Sequence, residues 1–126
     1  MNKPRPVYLN LFEFRFPLTA IVSILHRVSG VLLFLSIPLI LWALDASLDN
    51  RFSFAQVTSV LMHPLVKIIT WAILSAFIYH VVAGIRHLLM DCHIGETKEG
   101  GRLGAQLTLA LSIALIVLLG IGMFIW

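Results

Sequence analysis

The sequence predicts an all-α integral membrane protein, a bundle of three transmembrane helices in a single domain over residues 1–126. Three observations support this prediction. Apolar residues make up 60% of the chain and charged residues only 12%, with a mean hydropathy of +0.98, which excludes an ordinary soluble domain. Three long apolar stretches can each cross a bilayer. Polar segments containing proline or glycine separate these stretches, as expected of connecting loops.

The first span is predicted over residues 19–44, after an irregular basic arm in residues 1–15. About 26 residues give roughly 39 Å of helix, more than the roughly 30 Å hydrocarbon core. The excess lies at the start of the span, so we expect Ser23, His26 and Arg27 at or just beneath the headgroups.

The remaining chain alternates connectors and spans. Residues 45–62 predict a connector with a short surface helix, and a second span follows over 65–90, because Pro64 is tolerated in a first helical turn. A polar loop is predicted over 91–102, followed by a third span over 103–126. The loop glycines predict a flexible turn; they are Gly95, Gly100 and Gly101.

The distribution of basic residues predicts the orientation. Three spans place the chain ends on opposite sides, and seven of the nine Lys and Arg residues fall on the N-terminal side. By the positive-inside rule the N-terminus is cytoplasmic and the C-terminus lies on the outer side. The net charge of +3 therefore fits membrane topology better than nucleic-acid binding. The first apolar run begins too late and continues too far for a cleavable signal peptide.

One polar stripe stands out in the second span. At 100° per residue, His80, Gly84, His87 and Asp91 fall within about 60° of one another. His80 lies roughly 16 Å from Asp91 along the helix, near mid-bilayer. It is either an iron ligand of haem or a neutral histidine hydrogen-bonded to another helix. Gly84 favours haem, since it would let a flat ring approach, although small residues also serve helix packing.

The other residues at this end of the second span have two interpretations each. Arg86 and His87 suit haem propionates or headgroup anchoring, and anchoring is favoured for Arg86. Asp91 suits either proton transfer or plain solvation. Cys92 is the lone cysteine, so an internal disulfide and covalent c-type haem attachment are both excluded. A metal site at Cys92 and His93 is not expected.

The first span carries a second candidate site. Ser23, Arg27 and Gly30 share one face, with His26 about 60° from Ser23. A guanidinium one turn from a hydroxyl can donate hydrogen bonds to a quinone carbonyl and stabilise the negative charge that appears on reduction. Anchoring is the alternative, and the company of His26 and Ser23 favours a binding site.

Together the two spans resemble a known family. Residues 15–30, with His-Arg-x-Ser-Gly, and residues 79–91, with His-x-x-x-Gly-x-Arg-His, closely resemble the cytochrome b subunit of bacterial succinate dehydrogenase, the larger membrane anchor of respiratory complex II. The resemblance covers almost the whole chain. It implies a b-type haem with His80 as one axial ligand and a histidine of the other anchor subunit as the second. It further implies that His26, Arg27 and His87 lie near the haem propionates.

The resemblance also implies a function as a subunit. Ser23 and Arg27 would line a ubiquinone site, and Asp91 would take part in proton delivery. Partner subunits would hold the FAD and the iron–sulfur clusters and oxidise succinate, which this chain would not touch. The alternatives are the anchor of a quinol:fumarate reductase and, from another class, a redox-inactive membrane protein in which His80 and Asp91 form a proton relay.

Overall fold

The computed structural model describes residues 15–125, so most of the predicted basic arm lies outside it. The described residues form four helices: α1 (Leu18–Asp49), α2 (Arg51–Met62), α3 (Pro64–Asp91) and α4 (Lys98–Ile125). Of these, α1, α3 and α4 are long and apolar enough to cross a membrane, which confirms the predicted all-α fold with three spans. The fourth helix, α2, is the short helix expected in the connector.

Local signals at both ends of α2 position it between α1 and α3. The Asn50 side chain accepts hydrogen bonds from the backbone N–H groups of Phe52 and Ser53, both at 2.9 Å, which caps the start of α2. At the other end, Pro64 occupies the first turn of α3, as predicted. The helical chain therefore breaks once before α2, at Asn50, and once after it, at His63.

A left-handed residue ends α3. His93 has φ of 62°, its N–H donates to the Met90 carbonyl at 2.9 Å, and the Ile94 N–H donates to the Leu89 carbonyl at 2.9 Å. This pair of bonds is the Schellman motif, in which glycine is the usual residue at the left-handed position. The structure thus gives His93 a role in ending the helix, which the sequence left unassigned.

The last residues of the loop predicted over 91–102 are helical. The helix α4 begins at Lys98, because Thr97 caps it: the Thr97 hydroxyl accepts from the Gly100 N–H at 3.0 Å. Gly100 and Gly101 are therefore helical residues, and of the three loop glycines only Gly95 has a positive φ, 78°. The connection between α3 and α4 is shorter than expected.

In the packed bundle α3 contacts both α1 and α4, and α1 also contacts α4. Among residues 15–125 the buried apolar side chains are small, namely Val22, Ala83 and Ala105. Most large apolar side chains of the spans are exposed in the single chain, as expected for surfaces that meet lipid or other subunits. Hydrogen bonds also join the helices: the Tyr79 hydroxyl donates to the Val22 carbonyl at 2.9 Å.

Candidate functional site

Three histidines from the two predicted sites lie together between α1 and α3. The rings of His26 and His80 stack with centroids 4.2 Å apart and planes 16° from parallel. The ring of His87 lies 4.9 Å from that of His26, tilted by 45°. Because His26 is on α1 and the other two are on α3, the cluster joins the two sequence motifs into one site.

The His80 ring is oriented through one nitrogen. Its Nδ1 lies 3.0 Å from the Ser29 hydroxyl oxygen and 3.2 Å from the His26 carbonyl oxygen. The Ser29 hydroxyl itself donates to the same carbonyl at 2.7 Å. All hydrogen bonds of His80 to the described residues use Nδ1, so Nε2 is left without a partner in residues 15–125.

Two glycines lie against these rings, one on each helix. A Cβ at Gly30 would lie 3.1 Å from Cε1 of His80, closer than side chains normally approach. A Cβ at Gly84 would lie 3.5 Å from Nε2 of His26, which is ordinary contact. The ring over Gly84 in this structure is thus that of His26. Nε2 of His26 is buried and has no hydrogen-bond partner among the described residues.

The predicted quinone and proton residues lie outside this cluster of rings. Ser23 is half-buried on α1, Arg27 is exposed one turn later, and Asp91 is exposed at the end of α3. The side chains of all three make no hydrogen bond or ion pair to residues 15–125. Their polar groups are therefore available to a ligand, to water or to another subunit.

A match to a family model accompanies this geometry. The model described as succinate dehydrogenase/fumarate reductase transmembrane subunit covers residues 1–119. The chain belongs to this family. Membership of the succinate dehydrogenase/fumarate reductase transmembrane subunit family makes it a multi-pass membrane subunit of an oxidoreductase complex, respiratory complex II.

Curated relatives agree with this family. The chain is 42% identical to the succinate dehydrogenase cytochrome b556 subunit of Coxiella burnetii (strain RSA 493 / Nine Mile phase I), with 100% of each chain covered. It is 36% identical to the subunit of that name from Paracoccus denitrificans, over 97% of this chain and 94% of the relative. For Rickettsia felis (strain ATCC VR-1525 / URRWXCal2) the identity is 32%, over 91% of this chain and 90% of the relative.

The donor set fits the haem that the word cytochrome implies for this family. A metal-bound histidine typically coordinates through one ring nitrogen and donates its other N–H to a nearby acceptor. His80 has this arrangement, with Nδ1 held by two oxygens and Nε2 without a partner in the described residues. In residues 15–125 no group of three or more His, Cys, Asp or Glu side chains can hold a metal ion.

The structure places Arg86 differently from the favoured interpretation. Sequence reasoning favoured a headgroup anchor, but Arg86 is 8% exposed and packs against α4. One of its terminal nitrogens donates to the Gly101 carbonyl at 3.4 Å. A Cβ added at Gly104 would lie 3.4 Å from Nε of Arg86. The anchor interpretation did not include this packing. Arg86 packs α3 against α4 in this chain.

Sequence reasoning missed two residues that shape the site. Ser29 was present in the first motif but received no role, although its hydroxyl contacts His80. Tyr79 opens the second motif and ties α3 to α1 by donating to the Val22 carbonyl. A polar residue on a buried helix face is the available signal for Ser29, which lies three residues after His26 on the same helix.

Proposed function

We propose that this chain is the haem b subunit and membrane anchor of a succinate:ubiquinone oxidoreductase, with His80 as one axial ligand of the iron. The observation that supports this ligand is the hydrogen bonding of its ring: two oxygens hold Nδ1, and Nε2 has no partner in residues 15–125. The second axial histidine comes from the other small membrane-anchor subunit. This chain would supply one oriented imidazole to the iron, and that partner would supply the other.

The neighbours of His80 suit the rest of a haem. His26 stacks on His80, His87 lies beside His26, and Arg27 follows His26 in α1, so hydrogen-bond donors gather toward the headgroup end of the site. In the proposed site these three side chains donate to the haem propionates. Gly84 supplies clearance on the same face of α3. Haem b held there would supply an electron carrier, and with a histidine ligand from each anchor subunit it would not bind oxygen.

Quinone reduction is assigned to the neighbouring face of α1. Ser23 and Arg27 lie one turn apart, and their donors are unused by residues 15–125. The Ser23 hydroxyl and the Arg27 guanidinium orient the ubiquinone carbonyl oxygens, and the guanidinium stabilises negative charge that develops on them. Asp91 or nearby water delivers protons to the reduced oxygens.

In the proposed complex the chain binds no succinate. It anchors a flavoprotein subunit with FAD and an iron–sulfur subunit on the cytoplasmic side of a bacterial inner membrane, and lipid surrounds its outer surface. The proposed orientation has a cytoplasmic N-terminus and a periplasmic C-terminus. Support comes from the charge count of seven basic residues near one membrane side against Arg51 and Lys67 near the other, out of nine in all.

A difference spectrum of the purified complex tests this function. Wild type is expected to show a reduced b-type haem band, and His80→Ala is expected to lose it. His63→Ala is the matched control, because His63 is an exposed histidine at the opposite end of α3 and should leave the band intact. Absence of the band in wild type would contradict the proposal and favour a redox-inactive subunit. Persistence of the band in His80→Ala would contradict His80 as an iron ligand.

A further inference from the structure

The buried hydroxyl of Ser29 makes two contacts at once. Ser29 is 5% exposed, and its Oγ donates to the His26 carbonyl one turn earlier in α1 at 2.7 Å. The same Oγ lies 3.0 Å from Nδ1 of His80 on α3, 51 residues away in sequence. A single side chain therefore ties the backbone of α1 to the histidine at the centre of the site.

The partners of Nδ1 determine which ring nitrogen carries hydrogen. The His26 carbonyl, 3.2 Å from Nδ1, can only accept. The Ser29 hydroxyl has one hydrogen, and this hydrogen is directed at the same carbonyl, so toward His80 the oxygen also accepts. Nδ1 must then be the donor. The neutral His80 ring consequently carries its lone pair on Nε2, the nitrogen without a partner in the described chain.

A second serine on α1 shows which of the two contacts is specific. Ser36 is 6% exposed, and its hydroxyl donates to the Leu33 carbonyl at 2.7 Å, the same bond to residue i−3 that Ser29 makes. Ser36 has no histidine contact among residues 15–125. The bond to the preceding turn is thus common to both buried serines of α1. Of these two serines, only Ser29 also contacts His80.

We propose that Ser29 is the positioning residue of the haem ligand: it holds the His80 ring in the tautomer and orientation that present Nε2 to iron. It also tunes the ligand, because an acceptor on the outer N–H makes an imidazole a stronger electron donor to the metal. A stronger donor favours ferric over ferrous iron and lowers the midpoint potential. This inference rests on the proposed function, since it takes His80 as the iron ligand.

The test compares Ser29→Ala, Ser29→Thr and Ser36→Ala in the complete purified complex. The readouts are the haem midpoint potential and the ferric electron paramagnetic resonance spectrum, which do not depend on turnover. Ser29→Ala is expected to raise the potential and shift the ferric signal. Ser29→Thr keeps the hydroxyl and should restore both toward wild type. Ser36→Ala should match wild type, because it loses only the bond to the preceding turn.

Two results would overturn the inference: a Ser29→Ala complex with wild-type potential and ferric signal, or an equal change in Ser36→Ala. If Ser29→Ala does not assemble, Ser29→Cys takes its place, because a thiol is a weaker acceptor and predicts a smaller rise in potential. An unchanged potential in Ser29→Cys would then overturn the inference. Failure of the proposed function gives a different result: either wild type would lack the haem band, or His80→Ala would keep it.

Discussion

The imidazole rings of His26 and His80 stack 4.2 Å apart across the contact between α1 and α3. The lone pair of an imidazole nitrogen lies in the plane of the ring, so a neighbour stacked on the ring face leaves Nε2 of His80 available for coordination. The stack also explains the glycine at position 30, since a Cβ there would lie 3.1 Å from Cε1 of His80. The site therefore depends on the close approach of α1 and α3 as well as on the side chains that would bind haem.

Gly30 is the first place to test this dependence. The Cβ of Gly30→Ala would lie 3.1 Å from Cε1 of His80 and must displace the ring, an overpacking cost of about 1 to 3 kcal/mol. We expect lower haem content per flavin and a shifted haem spectrum. Gly122→Ala is the matched control, because its Cβ would meet nothing within 4 Å. Normal haem content in Gly30→Ala would show that the ring position is not constrained there.

Arg27 separates quinone chemistry from assembly. Arg27→Leu removes the charged donor assigned to the quinone, so quinone reduction should fall by about 10- to 100-fold, as expected for loss of a hydrogen bond from a charged group. Succinate oxidation with a soluble artificial acceptor should remain near wild type. Arg15→Leu, which removes another exposed arginine just before α1, should spare both activities. An equal fall of both activities in Arg27→Leu would indicate an assembly defect.

Arg86 is expected to affect stability. Arg86→Ala removes a buried side chain whose stem and guanidinium pack on α4, including the bond to the Gly101 carbonyl. We expect a loss of about 2 kcal/mol or more, measured as a lower melting temperature of the complex in detergent. Arg102→Ala, at an exposed position of α4, should change stability by no more than about 0.5 kcal/mol. Similar small effects in both variants would argue against the packing role of Arg86.

The left-handed conformation of His93 makes a prediction about substitutions. With φ of 62°, His93→Gly should fold at least as well as wild type, because glycine has no Cβ to clash. His93→Val should lower the melting temperature, since a β-branched residue resists this conformation and the cost is about 1 to 2 kcal/mol. The measurement is thermal unfolding of both complexes. Equal melting temperatures for the two variants would show that the helix end adapts to either residue.

Two features of the structure differ from the sequence predictions: the start of α4 and the burial of Arg86. The charged residues and glycines of 98–102 predicted a loop. In the structure the Thr97 cap begins α4 at Lys98, since a spanning helix can extend beyond the hydrocarbon core. Arg86 has the charge expected of a headgroup anchor. Arg86 lies about 120° around α3 from His80, on the side that packs against α4. Gly101 and Gly104 of α4 have no side chain there, so Arg86 contacts the backbone.

Some features of this protein follow from its sequence alone. The apolar runs determine three spans, the 100° period places His80, Gly84 and His87 on one face, and the paired motifs indicate the family. Only the tertiary structure decides the contacts between helices: the stack of His26 on His80, the hydroxyl of Ser29 at Nδ1, and the burial of Arg86. Periodicity specifies a direction around one helix axis. The residue met in that direction depends on which helix packs there, at what depth and in which rotamer.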